Sequence, residues 1–301
     1  MTRVLVIGAA GQLGRALCEA LRQAQHEVVE SVRRAPQPGQ LCVDLEAPAD
    51  AIAAVRRCAP DWILIAGAFC NVDLAETEAA RCRAVNVEGP RAIAAYAQAA
   101  GCRVVYYSTD QVFDGTRESC RETDPVNPLN AYAQSKAQGE AAIRSALPDR
   151  HLILRSAWLY GPDPARRNFA LRLIDTLSAG SAVRVPSDQW GTPTYTEDLA
   201  EVTRFLMARG RCGTLHATGP ELIDRVSLAR RICAAFELDE RQVVPTPTAQ
   251  LRQPARRALR VRLEGGALQA VGAGPLRGVE EGLAALRQWQ RNSAWPVSIV
   301  G

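Results

Sequence analysis

The first fourteen residues constrain the chain more than any other stretch. Val4-Leu5-Val6-Ile7 is a short apolar run that passes directly into Gly8-Ala9-Ala10-Gly11-Gln12-Leu13-Gly14, and an amphipathic stretch follows over Gln12–Ala24. Glycine is needed where a strand turns tightly into a helix and where backbone must approach a pyrophosphate resting on the helix N-terminus. A glycine-rich turn alone is a weak signal. One that ends a strand and opens a helix has the context of a nucleotide cradle. No apolar segment with a cleavage site precedes the strand, so no signal peptide is expected.

The same alternation continues. Further apolar runs lie at His26–Val32, Trp62–Ala66, Arg103–Thr109 and Leu152–Trp158. Helical patterns lie between them at Ala49–Cys58, Glu78–Ala99 and Ala131–Ala146. The runs are continuously apolar, as strands covered on both faces are, so the fold class is α/β with a doubly wound parallel sheet of Rossmann type. Beyond about residue 160 the pattern loosens, with Pro162, Pro164, Pro186, Pro193 and Pro220 as punctuation. Helices remain legible at Asn168–Ser178, Glu197–Met207 and Val279–Arg291, and Pro245–Gly278 reads mostly as loop. We therefore expect residues 1–161, with a returning segment near 194–217, to form a dinucleotide-binding domain. Residues 162–193 and 218–301 then form a smaller C-terminal substrate-binding lobe.

Composition excludes other classes. The net charge of +4 is small and scattered, which argues against a nucleic-acid partner. No apolar run approaches the length of a membrane span. The 9 cysteines are odd in number, without a C-x-x-C pair, and the 3 histidines are few. Neither a disulfide framework nor a metal site is expected, and a reducing, cytoplasmic setting follows.

Two clusters carry chemistry. Of the 36 basic residues only Lys136 is a lysine, in a chain that uses arginine everywhere else. That marks a position where a compact ammonium is required and a planar guanidinium will not serve. Lys136 follows Tyr132 by four residues on a predicted helix, so phenol and ammonium share one face. A nearby ammonium is expected to lower the phenol's pKa. Thr109 ends the predicted strand Arg103–Thr109, where a parallel sheet opens its ligand crevice. Thr109, Tyr132 and Lys136 together read as a carbonyl anchor, a proton donor and its tuner. The second cluster is Arg33-Arg34, which ends the strand after the glycine turn and suits the 2′-phosphate of NADP(H), leaving NAD(H) as second choice.

These residues sit in a wider pattern. It includes Asp44-Leu45, Val72-Asp73-x-Ala75-Glu76, Val85-Asn86 and Ser108-Thr109-Asp110-x-Val112-Phe113-Asp114-Gly115. It continues through Asn130-x-Tyr132-x-x-x-Lys136, Arg155-x-x-Trp158-x-Tyr160-Gly161, Asn168-Phe169 and Asp188-Gln189-x-Gly191-x-Pro193-Thr194. Over nearly its whole length the chain resembles the extended short-chain dehydrogenases/reductases, and among them the dTDP-4-dehydrorhamnose reductase family. The resemblance implies NADPH-dependent reduction of the 4-keto group of a dTDP-linked 6-deoxysugar, with a homodimer allowed. It implies that Gly8, Gly11, Gln12 and Leu13 cradle the pyrophosphate, that Asp44 and Leu45 lie near the adenine, and that Ala66 and Ala68 line the cofactor. Tyr132 would protonate the ketone oxygen, Thr109 would hydrogen-bond it, and Lys136 would tune Tyr132 and hold the nicotinamide ribose. Val72, Gln111, Trp158, Asn168, Gln189 and Thr194 would face the substrate. The alternatives are a ketoreductase for another deoxysugar, or a non-catalytic NADP-binding subunit resembling the regulatory subunit of methionine adenosyltransferase. A dehydratase is disfavoured because Thr109 is followed by Asp110-Gln111 rather than an acid pair, and an epimerase because Arg33-Arg34 speaks against NAD. Three departures bear on the sugar: Gln111 stands where the family commonly has Tyr, Cys70 where it has a hydroxyl residue, and Gln253–Leu259 matches its C-terminal motif poorly.

Overall fold

Both faces of the first strand are buried. Val4 and Val6 pack into one apolar cluster and Leu5 and Ile7 into another, so the strand lies inside a layered α/β structure. The computed structural model describes residues 1–293. Seven parallel strands form the sheet: β1 (Arg3–Ile7), β2 (Glu27–Val32), β3 (Leu41–Cys42), β4 (Trp62–Ile65), β5 (Arg103–Thr109), β6 (His151–Ser156) and an edge strand, Gly213–His216. Their spatial order is β3-β2-β1-β4-β5-β6-edge, the Rossmann order extended by one strand. The order reverses between β1 and β4, whose register pairs Ile7 with Ile65.

The sequence places the five main strands and most helices within a residue or two. It misses β3, the edge strand and the helix Arg225–Phe236. The stretch expected as one helix over Glu78–Ala99 is a continuous helical run from Ala79 to Ala100 that carries a π-helical turn at Ala84–Glu88. That turn sets Asn86 inward, 1% exposed.

After β6 the chain builds a third apolar cluster from Tyr160, Leu171, Ile174, Val185, Ile223, Ile232 and Leu286. It returns to the sheet in the helix Thr196–Ala208, whose Leu199 and Leu206 join the cluster around α1 (Gln12–Gln23). Residues 294–301, assigned above to the C-terminal lobe, lie outside the described residues. One buried ion pair ties β6 to the helix Ala131–Ala146. Arg155 makes two hydrogen bonds to Glu140, 2.9 and 2.7 Å, with both side chains 2% exposed.

Candidate active site

The crevice opens beyond the C-terminal ends of β1 and β4, where the strand order reverses. Gly8 has φ +86°, and a Cβ there would stand 2.6 Å from the Gly67 backbone. A Cβ on Gly14 would stand 2.2 Å from the Gly8 carbonyl oxygen, so α1 can press against the turn only without one. Gly11 is the N-cap of α1 and brings no side-chain cap. The first-turn N–H groups of the helix have no intrahelical acceptor and point towards the crevice. This is a cradle that fits the pyrophosphate of a dinucleotide. The cavity is about 880 Å³, lined at this end by Gly8, Gly11, Gln12, Leu13, Arg33, Asp44, Leu45, Ala66 and Ala68. The Gln12 amide donates to the Thr196 hydroxyl and so ties the cradle to the returning helix. Arg33 already holds two carboxylates, Asp44 at 3.1 Å and Glu46 at 2.5 Å.

The reactive groups line the middle of the same cavity. Thr109, at the end of β5, donates to the Asp110 carboxylate (2.9 Å) and accepts from the Gln111 amide N–H (3.2 Å). Tyr132 and Lys136 come from the helix Ala131–Ala146, whose N-cap Asn130 accepts from the Ala133 N–H at 2.8 Å. Lys136 is 2% exposed, and its Nζ lies 3.9 Å from the centre of the Tyr106 ring. Burial pulls its pKa down to about 8, against the pull of Glu140. The Tyr132 phenol shifts the other way from the sequence expectation. Burial raises it above its ordinary value, the neighbouring Cys70 and Asp110 side chains add to that, and Thr109 pulls it down. The physical reason is that desolvation disfavours the phenolate more than any neighbour favours it. Asp110, buried beside Thr109, is pushed up to about 6 by desolvation, with Thr109 and Arg225 opposing.

Asn86 links these parts. Its amide accepts from the Phe69 N–H (3.0 Å), and donates to the Phe69 carbonyl (3.0 Å) and to the Ser135 hydroxyl (2.9 Å). The loop after β4 is thereby clamped to the Tyr132 helix.

At the far end stand Trp158 and Asn168. Trp158 holds φ +46°, and its indole packs so closely on Gly191 that a Cβ there would lie 2.5 Å from the ring. Asn168 serves as the N-cap of the helix Phe169–Ser178, accepting from the Leu171 N–H at 3.0 Å. Gln111 and Cys70 also face the cavity, and Asn130 donates to the Gln111 side-chain oxygen at 3.4 Å. Four expected residues lie outside its wall. Arg34 is exposed beyond Arg33. Val72 packs in the small cluster behind Tyr132. Gln189 donates to Thr248 at 3.1 Å. Thr194 is fully buried and donates to the Thr192 carbonyl at 3.2 Å. Sequence reasoning missed Arg225, which lines the cavity with its guanidinium 3.3 Å from the centre of the Trp158 ring and 4.6 Å from that of Phe169.

Sheet order, glycine cradle and a Tyr–Lys helix on one crevice define a Rossmann-type α/β protein. The profile of the family described as RmlD substrate binding domain matches residues 1–291, and the chain belongs to that family. It is 34% identical over 299 residues to a probable dTDP-4,6-dihydroxy-2-methyloxan-3-one 4-ketoreductase of Streptomyces antibioticus, covering 96% of this chain and 92% of that one. It is 35% identical over 281 residues to a dTDP-4-dehydrorhamnose reductase of Streptomyces griseus, covering 91% and 90%. Among solved structures it resembles dTDP-4-dehydrorhamnose reductase from Bacillus anthracis in complex with NADP, with TM-score 0.87, 28% identity, and coverage of 96% and 99%.

Proposed function

We propose that this chain reduces the 4-keto group of a dTDP-linked 6-deoxysugar with NADPH, and that dTDP-4-dehydrorhamnose, giving dTDP-L-rhamnose, is the first substrate to test. One observation carries the reading. Thr109, Tyr132 and Lys136 share a single cavity with the Gly8–Gly14 cradle. The names of its relatives in two Streptomyces species, and the NADP in the Bacillus anthracis structure, support it.

Gly8, Gly11, Gln12, Leu13, Ala66 and Ala68 would hold the cofactor, with Asp44 and Leu45 at its adenine end and Arg33 at the 2′-phosphate. NADP(H) is the proposed cofactor and NAD(H) the weaker alternative. Bound there, the reduced nicotinamide supplies a hydride to the carbonyl carbon. Tyr132 donates its phenolic proton to the ketone oxygen, and Thr109 hydrogen-bonds the same oxygen. A raised phenol pKa suits this direction, because Tyr132 stays protonated until the oxygen needs the proton. Lys136, charged below about pH 8, then favours the phenolate that remains. The walls formed by Gln111, Trp158 and Asn168 would take the sugar and its nucleotide, in a cleft between the sheet domain and the C-terminal lobe.

A second reading keeps the reaction and changes the sugar. Gln111 and Cys70, the two departures in sequence, both face the cavity, and few pocket contacts are needed to shift preference between similar rings by about 1–3 kcal/mol. NADPH oxidation with dTDP-4-keto-6-deoxysugars made in situ, with product stereochemistry determined, decides. Rapid dTDP-L-rhamnose formation supports the first reading and turnover of another keto-sugar only supports the second. No turnover of any, with NADPH bound tightly, refutes both in favour of a non-catalytic NADP-binding protein.

A reducing, cytoplasmic setting is proposed on nine unpaired cysteines, and a homodimer is the assembly to test by mass in solution. No helix among the described residues is long and apolar enough to cross a membrane.

A further inference from the structure

Four arginines line the cavity, and three of them are neutralised by carboxylates. Arg33 pairs with Asp44 and Glu46, Arg81 with Glu46 and Glu78, and Arg167 with Asp163 at 3.8 Å. Arg225 forms no ion pair or side-chain hydrogen bond with any of the described residues, although it is half-buried. Its nearest acidic influence is Asp110, and Arg257 and Arg172 add further positive charge around it. A guanidinium seldom enters a partly desolvated wall without an anion.

Its placement is fixed from several sides. Its guanidinium carbon lies 3.3 Å from the centre of the Trp158 ring and 4.6 Å from that of Phe169, so two aromatic rings restrict the planar group. Its backbone N–H donates to the Gln189 carbonyl at 3.0 Å, and the preceding Asp224 caps the helix that Arg225 opens, accepting from the Ser227 N–H at 2.8 Å. A side chain so held has lost its rotamer freedom before a ligand arrives. Such a fork suits two oxygens of a phosphoryl group, bound side by side.

We propose that Arg225 anchors the diphosphate of the substrate, on the lobe side of the cavity, away from the Gly8–Gly14 cradle that serves the cofactor. The inference rests on the reading of a nucleotide-linked substrate and adds the residue that grips it. Anchoring there leaves the sugar to extend towards Thr109 and Tyr132, and makes the Trp158 indole the floor beneath the anchor.

The test is calorimetric titration of the full chain, saturated with NADP⁺, using dTDP and thymidine as probes. Arg225→Gln should weaken dTDP binding at least tenfold, leave thymidine within twofold, and leave NADPH affinity and melting temperature unchanged. In turnover, KM for the dTDP-sugar should rise by at least tenfold while kcat changes less than threefold. Arg225→Gln binding dTDP as tightly as the unaltered protein overturns the assignment. If Arg225→Gln melts markedly lower, Arg225→Lys decides: dTDP binding weakened threefold or more supports the anchor, and unchanged binding overturns it. Failure of the unaltered protein to bind dTDP would refute the nucleotide reading itself. Inorganic pyrophosphate then separates the two ideas: binding that depends on Arg225 retains the anchor, and no binding removes it as well.

Discussion

Replacing Lys136 by Met should make the protein more stable at pH 7 while abolishing turnover. Lys136 is 2% exposed and its pKa falls from the ordinary 10.5 to about 8. At 1.36 kcal/mol per unit, holding this ammonium protonated in the fold costs about 3 kcal/mol at pH 7. Its contact with the Tyr106 ring returns part of that, roughly 0.5–2 kcal/mol for a cation over an aromatic face. Met has similar length and no charge, so the variant should gain about 1–3 kcal/mol. For a chain of this size that is roughly 2–6 °C in melting temperature. The sign with pH is distinctive. The folded pKa lies below the unfolded one, so between about pH 8 and 10.5 the unfolded chain binds more protons, and wild-type stability from this group rises with pH. The advantage of the variant should therefore be full at pH 7 and shrink through that window. Denaturant titrations of both proteins without cofactor, at pH 7 and pH 9.5, measure it. A variant that is less stable at pH 7, or a difference that ignores pH, refutes the claim that Lys136 is held against a desolvation penalty for the sake of chemistry.

Tyr132→Phe should retain NADPH binding and lose turnover by roughly a hundredfold or more, read from single-turnover NADPH oxidation. Gly14→Ala should unfold the cradle locally and abolish dinucleotide binding by calorimetry, because its Cβ would lie 2.2 Å from the Gly8 carbonyl oxygen. Glu140→Ala leaves Arg155 buried and unpaired, and should cost about 3–5 kcal/mol in urea unfolding. Arg33→Ala should narrow the preference for NADPH over NADH, whereas Arg34→Ala, exposed outside the cavity, should leave the ratio of the two dissociation constants unchanged.

The nucleotide half of this site was legible because its chemistry is written in contiguous backbone. Gly8 and Gly14 must be glycines for reasons of close approach, and a strand and a helix on either side declare the context. The lone Lys136 was legible through composition. The substrate half was not. Trp158 and Arg225 are 67 residues apart in sequence and meet only because the lobe folds Arg225–Phe236 against the segment after β6. Arg225 carried no local signal among 35 arginines, because an arginine at the start of a helix reads as a surface charge until the fold turns it to Trp158. Gln189 and Thr194 looked like pocket residues from their motif. Their polar atoms are instead spent on Thr248 and on the Thr192 carbonyl. The expected fall in the Tyr132 pKa failed for a similar reason, since spacing along a helix reveals a neighbour and says nothing of burial.

What positions Tyr132 is thus not the Tyr-x-x-x-Lys spacing but three residues with no part in the chemistry. Gly139 lets the helix approach β5: a Cβ there would lie 2.3 Å from the Tyr106 hydroxyl and 2.4 Å from the Asn86 carbonyl oxygen. Tyr106 in turn donates to that carbonyl at 2.9 Å, which sets its ring beneath Lys136. The π turn at Ala84–Glu88 is what delivers Asn86 to this junction, since the extra residue in the turn swings its amide inward. There it bonds both the loop after β4 and Ser135, one residue before Lys136. A regular helix over the same stretch would turn Asn86 away from this junction and lose that clamp. The irregular turn therefore trades local helix regularity for a fixed distance between the cofactor loop and the proton donor, the distance on which hydride and proton delivery to one carbonyl depends.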